Sequence, residues 1–172
     1  MDIQQKLSVP IGIIPVTDFK IKMKPGTWVK EYCRTKGMFS FWHHGIVSEV
    51  DKRTQYPTKI IHFCIPEQNQ DLTTERVICE TSVAYFLEDA EDPQVVDQEP
   101  KFSYREIVER AQQYIGKGEY DLKSKNCEHF ASWCYLGAAY SEQVLFNGIA
   151  AIVIIASIAI AGVVACANQQ WI

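Results

Sequence analysis

A cysteine stands at the start of a predicted helix within "KSKNCEHFASWCYLG", residues 123–137. Asn126 is a good N-cap, apolar residues follow at helical spacing, and Gly137 is a suitable C-cap. Cys127 then lies in the first turn, where unpaired N–H groups and the helix dipole favour a thiolate. We therefore expect the pKa of the Cys127 thiol to be lowered, which would make it a candidate nucleophile.

A thiol nucleophile needs a base, and the chain has four histidines: His43, His44, His62 and His129. His129 is two residues along the same predicted helix, so its side chain should point away from Cys127. His43 and His62 lie on predicted neighbouring strands, which is a better arrangement for reaching a helix N-terminus. The residues alone leave two interpretations open: a Cys-His active site, or a small buried thiol with structural histidines.

Metal binding is the main alternative chemistry, with Cys127, His129 and Cys134 as zinc ligands. The paired ligand spacings of structural zinc sites are missing, so this interpretation is poor. We expect no metal and no other cofactor. The six cysteines are far apart and form no CxxC pair, and the N-terminal residues do not resemble a signal peptide. These features favour reduced thiols.

Composition limits the remaining possibilities. The chain has 172 residues, of which 47% are hydrophobic, which is enough for one core and an appendage. The formal net charge is -4, and no basic run is suited to a phosphate backbone. Nucleic acid is therefore not expected as a partner.

The first half of the chain has the pattern of an antiparallel β-meander. Short stretches rich in β-branched and aromatic residues are separated by turn signals, at 27–33, 43–50 and 59–65. Within residues 66–100, "VICETSVAYFLE" fits either a strand or a short helix, and "EDAEDPQVVDQEP" is typical of a solvated acidic loop.

The second half has the pattern of helices, so the fold class is α+β. Ser103 and Glu106 form a predicted capping box at the start of one helix, and Gly116 is expected to end it. The helix of Cys127 follows. We place the catalytic domain at residues 1–143, with its core at about 20–137.

Residues 144–172 form a predicted membrane anchor. Twenty residues from 148 to 167 carry no charge, which is long enough for a transmembrane helix. A span so near the C-terminus predicts a single-pass tail anchor with the catalytic domain in the cytosol, and Trp171 at the far interface. Small residues at four-residue spacing could support self-association of this helix, although alanine is common in such helices: Ser157, Ala161 and Ala165.

Several segments resemble one family in the same order along the chain. The stretch "RAQQYIGKGEYDLKSKNCEHFASWCYLG" is similar to the signature of the lecithin retinol acyltransferase family, which includes the HRAS-like suppressor phospholipase/acyltransferases and plant NC-domain proteins. "HHGIV" and "IIHFC" resemble the family's two histidine elements, and "KPGTWV" resembles the opening of its first strand. The departures are Val47, where an aromatic residue is usual, the long turn between the histidine strands, and residues 66–100.

The resemblance implies a circularly permuted papain-like fold of the NlpC type. It also implies roles: Cys127 as the nucleophile, His43 as the general base and His62 as the orienting third member, whereas His44 falls at a variable position. The implied reaction takes an acyl chain from a glycerophospholipid onto the thiol and passes it to water, an amine or an alcohol. A cysteine peptidase or amidase and a non-catalytic membrane-bound interaction protein stay open as alternatives.

Overall fold

The computed structural model describes residues 21–34, 40–65, 75–88 and 93–149. They form an α+β fold in which a five-stranded antiparallel sheet packs against helices. The elements in chain order are β1 Trp28–Arg34, β2 Ser40–Val50, β3 Pro57–Cys64, β4 Val77–Ser82, α1 Val83–Phe86, β5 Gln94–Val95, α2 Tyr104–Gln112 and α3 Cys127–Leu136. The strand order is β4-β3-β2-β1-β5, so the predicted meander is confirmed.

The described parts of the segment 66–100 contain more structure than the sequence indicates. "VICETSVAYFLE" contains both a strand and a short helix, because Ser82 ends β4 and caps α1. The prediction of a solvated loop is wrong at Gln94, which is buried, and at Val95, which pairs with Val29 of β1. Pairing with β1 satisfies main-chain groups that an edge strand would otherwise expose.

Both predicted helix starts are confirmed. The Ser103 side chain accepts a hydrogen bond from the N–H of Glu106, and the Glu106 side chain accepts one from the N–H of Ser103. Helix α2 ends at Gln112, four residues before Gly116, and a turn follows. Asn126 caps α3 by accepting a hydrogen bond from the N–H of His129 at 3.0 Å, and α3 ends at Gly137, whose φ is +74°.

The sheet has a buried cluster on each face, because successive strand residues point to opposite sides. On the helix side, one cluster includes Trp28, Ile46, Ile61, Cys127 and Phe130. On the other side, the second cluster includes Met23, Val29, Val47, Ile60 and Phe86. This alternation decides which neighbours each histidine of the sheet contacts.

One pair of cysteines contradicts the expectation of reduced thiols. Cys64 and Cys79 form a disulfide between β3 and β4, with their Cα atoms 6.0 Å apart. They are separated by 15 residues in the sequence, and only the antiparallel pairing of their strands makes them neighbours. Cys33, Cys127 and Cys134 are not in disulfides.

The chain divides into two compact units, Met1–Tyr140 and Ser141–Ile172. In the second unit, residues 142–149 are helical. Apart from its first two residues, the predicted transmembrane helix at 148–167 lies outside the described residues. Within the described ranges, no helix is both long and apolar enough to cross a membrane.

Candidate active site

Two histidines of neighbouring strands contact each other directly. Residue pairing between β2 and β3 places Gly45 opposite His62, and His43 lies two positions before Gly45. The Nε2 atom of His43 is 2.7 Å from Nδ1 of His62, and Nε2 of His62 is 2.8 Å from Oγ1 of Thr81. The strand register therefore brings together the two histidines that the sequence analysis selected.

The hydrogen bonds assign a direction to this chain of donors. The Thr81 hydroxyl donates to the carbonyl of Ser82 at 3.3 Å, so its oxygen is free to accept from His62. We therefore assign the tautomers so that His62 donates through Nε2 and accepts through Nδ1 from the Nε2–H of His43. Nδ1 of His43 keeps its lone pair, which is what a general base requires.

Burial keeps both imidazoles neutral. It lowers the pKa of His43 well below its usual 6.5, with further lowering from His62 and the positive Arg76. Burial also lowers the pKa of His62 to about 3. Phe86 packs against both rings, with centroid distances of 5.3 and 5.1 Å. An added Cβ at Gly45 would lie 3.1 Å from the Phe86 ring, so the glycine leaves room for this packing.

Cys127 reaches the sheet where β2 and β3 stop pairing. The last pair of the two strands is Gly45 with His62. The N–H of Val47 donates to Thr27 on the β1 side, so by strand alternation the main-chain groups of residues 42 and 44 face β3. The Cys127 sulfur lies 3.7 Å from the carbonyl oxygen of Trp42, and it is also hydrogen-bonded by the N–H of His44.

The thiol and the imidazoles thus approach the same gap between β2 and β3 from opposite faces. Cys127 belongs to the cluster on the helix side, whereas His43 packs against Phe86 on the other side. In this structure the sulfur contacts the main chain on both sides of His43, not its ring.

The expectation of a lowered thiol pKa at Cys127 is wrong for this structure. Burial raises the pKa of the thiol to about 11, because 3% of the residue is exposed and the charged form is poorly solvated. The N–H groups of His44, Glu128 and Cys127 act in the opposite direction but do not outweigh burial. The resting site therefore holds a neutral thiol beside neutral imidazoles.

The other two histidines have separate environments. His44 points to the helix side, where its Nδ1 accepts a hydrogen bond from the Trp28 indole at 3.1 Å, and burial lowers its pKa to about 4. His129 turns back toward the N-cap, and its Nδ1 accepts from the N–H of Asn126 at 3.4 Å. No group of three His, Cys, Asp or Glu residues in the described part of the chain could hold a metal.

Two cavities adjoin these residues. One, of about 280 Å³, is lined by His43, His62, Phe63 and Arg76, among others. The other, of about 560 Å³, begins beside Asn126 at the start of α3, and the aromatic rings of Tyr114, Phe130 and Trp133 form part of its lining, so we call it the aromatic cavity. Sequence reasoning missed Thr81 and Arg76, because both lie in the segment that could not be aligned and only strand pairing brings them to the histidines.

The fold and site define a class of protein: an α+β domain with a cysteine at a helix N-terminus that packs against histidine-bearing strands. The family model described as lecithin retinol acyltransferase matches residues 22–140. This match covers more than half of the chain, and the protein therefore belongs to the lecithin retinol acyltransferase family. A comparison with curated proteins finds no match.

Proposed function

We propose that the protein is a thiol-dependent phospholipase A/acyltransferase, anchored to a membrane by its C-terminal segment with the catalytic domain in the cytosol. Membership of the lecithin retinol acyltransferase family supports this class of activity. The observation that carries the proposal is the convergence of Cys127 and the His43–His62 pair on one gap between β2 and β3.

The first chemical step forms a thioester. The sulfur contacts the main chain beside His43 and not its ring, so a side-chain movement must first bring the two groups together. Nδ1 of His43 then takes the proton of the Cys127 thiol as the sulfur attacks the carbonyl carbon of a lipid ester. The tetrahedral intermediate collapses, the ester C–O bond breaks, and the imidazolium of His43 returns the proton to the leaving alcohol. Because both groups are neutral at rest, the proton moves during the attack and no thiolate–imidazolium pair exists beforehand.

The second step releases the acyl chain. His43 removes a proton from water, an amine or an alcohol, which attacks the thioester, and the thiol of Cys127 is regenerated. His62 acts as the orienting member by accepting the Nε2–H of His43, and Thr81 holds His62 in turn. The positive charge that develops on His43 in both steps is then shared along a hydrogen-bonded chain.

The helix start supplies donors for the negative oxygen. The N–H groups of Cys127 and Glu128 belong to the first turn of α3 and favour the charged form of the thiol, so we assign them to bind the oxyanion that forms beside the sulfur. The aromatic cavity that begins at Asn126 adjoins the same helix end. Its volume of about 560 Å³ and apolar walls suit part of an acyl chain.

The test is intact mass spectrometry after brief exposure of the full chain to phosphatidylcholine vesicles. The wild type is expected to gain the mass of one fatty acyl group, and Cys127→Ala is expected to gain none. Cys134→Ala is the matched control, because Cys134 is also a buried free thiol on α3. It should keep the adduct.

Other outcomes would reject the proposal. A chain that forms no adduct and releases neither fatty acid nor lysolipid is not a phospholipase. Cleavage of a peptide or amide substrate that depends on Cys127 would then identify the peptidase or amidase alternative. Inertness toward both substrate classes would leave a binding role.

A further inference from the structure

Among the described residues that line the cavity of His43 and His62, Arg76 is the one fixed positive charge. It directly precedes β4, the strand that pairs with the strand of His62. Its guanidinium lies over the ring of Tyr120, 5.6 Å from the centroid, and the side chain is half-buried. In the parts of the chain that the structure describes, it forms no ion pair or hydrogen bond, so its five donors are available to a ligand.

We propose that Arg76 binds the phosphodiester of the lipid headgroup and so positions the substrate ester at Cys127 and His43. This inference rests on the proposed function and adds a headgroup site to it. A planar guanidinium held on an aromatic face matches two oxygens of a phosphate, and partial burial strengthens the contact.

The other residues that line this cavity indicate which chemical group would accompany the phosphate in the headgroup. Glu31 and Glu88 line the same cavity, and so do Phe41 and Tyr85. Carboxylates and aromatic rings favour a quaternary ammonium. A zwitterionic headgroup, with its phosphate at Arg76 and its ammonium toward the carboxylates, therefore fits this cavity better than a purely anionic one.

The test compares two substrates that share a hexanoyl group: dihexanoylphosphatidylcholine, which carries the headgroup, and p-nitrophenyl hexanoate, which lacks it. Arg76→Gln is expected to lower kcat/KM for the phospholipid about 10- to 100-fold, since it removes charge-assisted hydrogen bonds. The value for the nitrophenyl ester should change less than about threefold, well under the effect of one such bond. Arg105→Gln is the matched control, because Arg105 is an exposed cation on α2 that pairs with Glu109.

Arg76 also lowers the pKa of both cavity histidines, and the second substrate separates that effect from binding. A change that acts through His43 would reduce turnover of both esters alike and shift both pH profiles, and this result would overturn the proposal. Unchanged turnover of both esters would overturn it as well.

Binding provides a readout that does not depend on turnover. In a Cys127→Ala background, the Kd for dihexanoylphosphatidylcholine, measured by intrinsic tryptophan fluorescence, is expected to rise at least about tenfold with Arg76→Gln. If the wild type hydrolyses no phospholipid but this Arg76-dependent binding persists, the enzyme proposal fails and the headgroup site stands. No binding, or binding that is independent of Arg76, would overturn the site itself.

Discussion

The Nε2 atom of His43 lies 2.7 Å from Nδ1 of His62, across the last residue pairs of β2 and β3. The contact uses one ring nitrogen of His43 and leaves the other with a lone pair. His62 continues the chain to Thr81 at 2.8 Å. The assigned direction of these hydrogen bonds suits the role of base that we propose for His43, with a second imidazole as its support in place of a carboxylate.

The Thr81 hydroxyl is expected to matter for the rate and not for the fold. Thr81→Val removes the acceptor of the His62 Nε2–H and should lower kcat about tenfold, with little change in KM, because one supporting hydrogen bond is lost. Steady-state hydrolysis of a phospholipid measures both constants. Thr58→Val is the matched control on β3, since its Oγ1 is buried without a partner. Equal losses in the two variants would contradict a role for Thr81 in orienting His62.

Alkylation of Cys127 in the absence of lipid is expected to be slow. With a thiol pKa of about 11 in place of 9.0, the thiolate fraction at pH 8 is about 100-fold lower than for an ordinary cysteine, and burial lowers access further. Mass spectrometry after iodoacetamide treatment between pH 6 and pH 10 measures the rate. Cys33→Ser removes from the background the half-buried thiol of Cys33, which is not in a disulfide. Rapid alkylation near pH 6 would show that a thiolate is already present.

The free energy of unfolding is expected to fall between pH 6.5 and pH 5. Burial lowers the pKa of His62 to about 3 and of His44 to about 4, and it also lowers that of His43. As the pH falls, the histidines of the unfolded chain therefore bind protons at a higher pH than those of the folded chain. The part of the free energy of unfolding that is present above pH 6.5 is then lost. His62 and His44 should each contribute a loss of about 2 kcal/mol at pH 5, and His43 adds a loss in the same direction.

Urea unfolding at pH 7.5 and pH 5 measures this dependence. In His62→Gln, the loss of free energy of unfolding between the two pH values should be about 2 kcal/mol smaller than in the wild type. A wild-type stability that does not change over this range would show that the buried histidines are solvated or already protonated.

The aromatic cavity can be narrowed from its exposed rim. Ala139→Trp is expected to reduce turnover of long-chain phospholipids more than that of short-chain ones, because Ala139 lines this cavity and is exposed. Ala138→Trp is the matched control, since Ala138 is also exposed and is not a lining residue. The ratio of kcat/KM values for palmitoyl and hexanoyl substrates measures the effect. An unchanged ratio would place the acyl chain elsewhere.

The proposed membrane anchor is tested by removing residues 144–172. The truncated chain should leave the membrane fraction, because the uncharged segment 148–167 is then absent. Cell fractionation followed by immunoblotting measures the distribution. Continued membrane association of the truncated chain would show that a surface of residues 1–143 binds lipid.

The sequence by itself determined the local structure and the identity of the candidate residues. Helix caps depend on side chains within three or four residues, so Asn126, Ser103 and Gly137 could be assigned from spacing alone. Short stretches rich in β-branched and aromatic residues, bounded by turn signals, predicted the strands of His43 and His62, and the "NCEHF" motif indicated the family.

The tertiary structure decided how distant segments meet. The register of β3 with β4 brings Thr81 to His62 and pairs Cys64 with Cys79, and no local pattern specifies that register. Burial against the sheet raised the thiol pKa of Cys127, although its position in the helix predicted the opposite. Solvation depends on everything that surrounds a group in space, and therefore only the folded chain determines it.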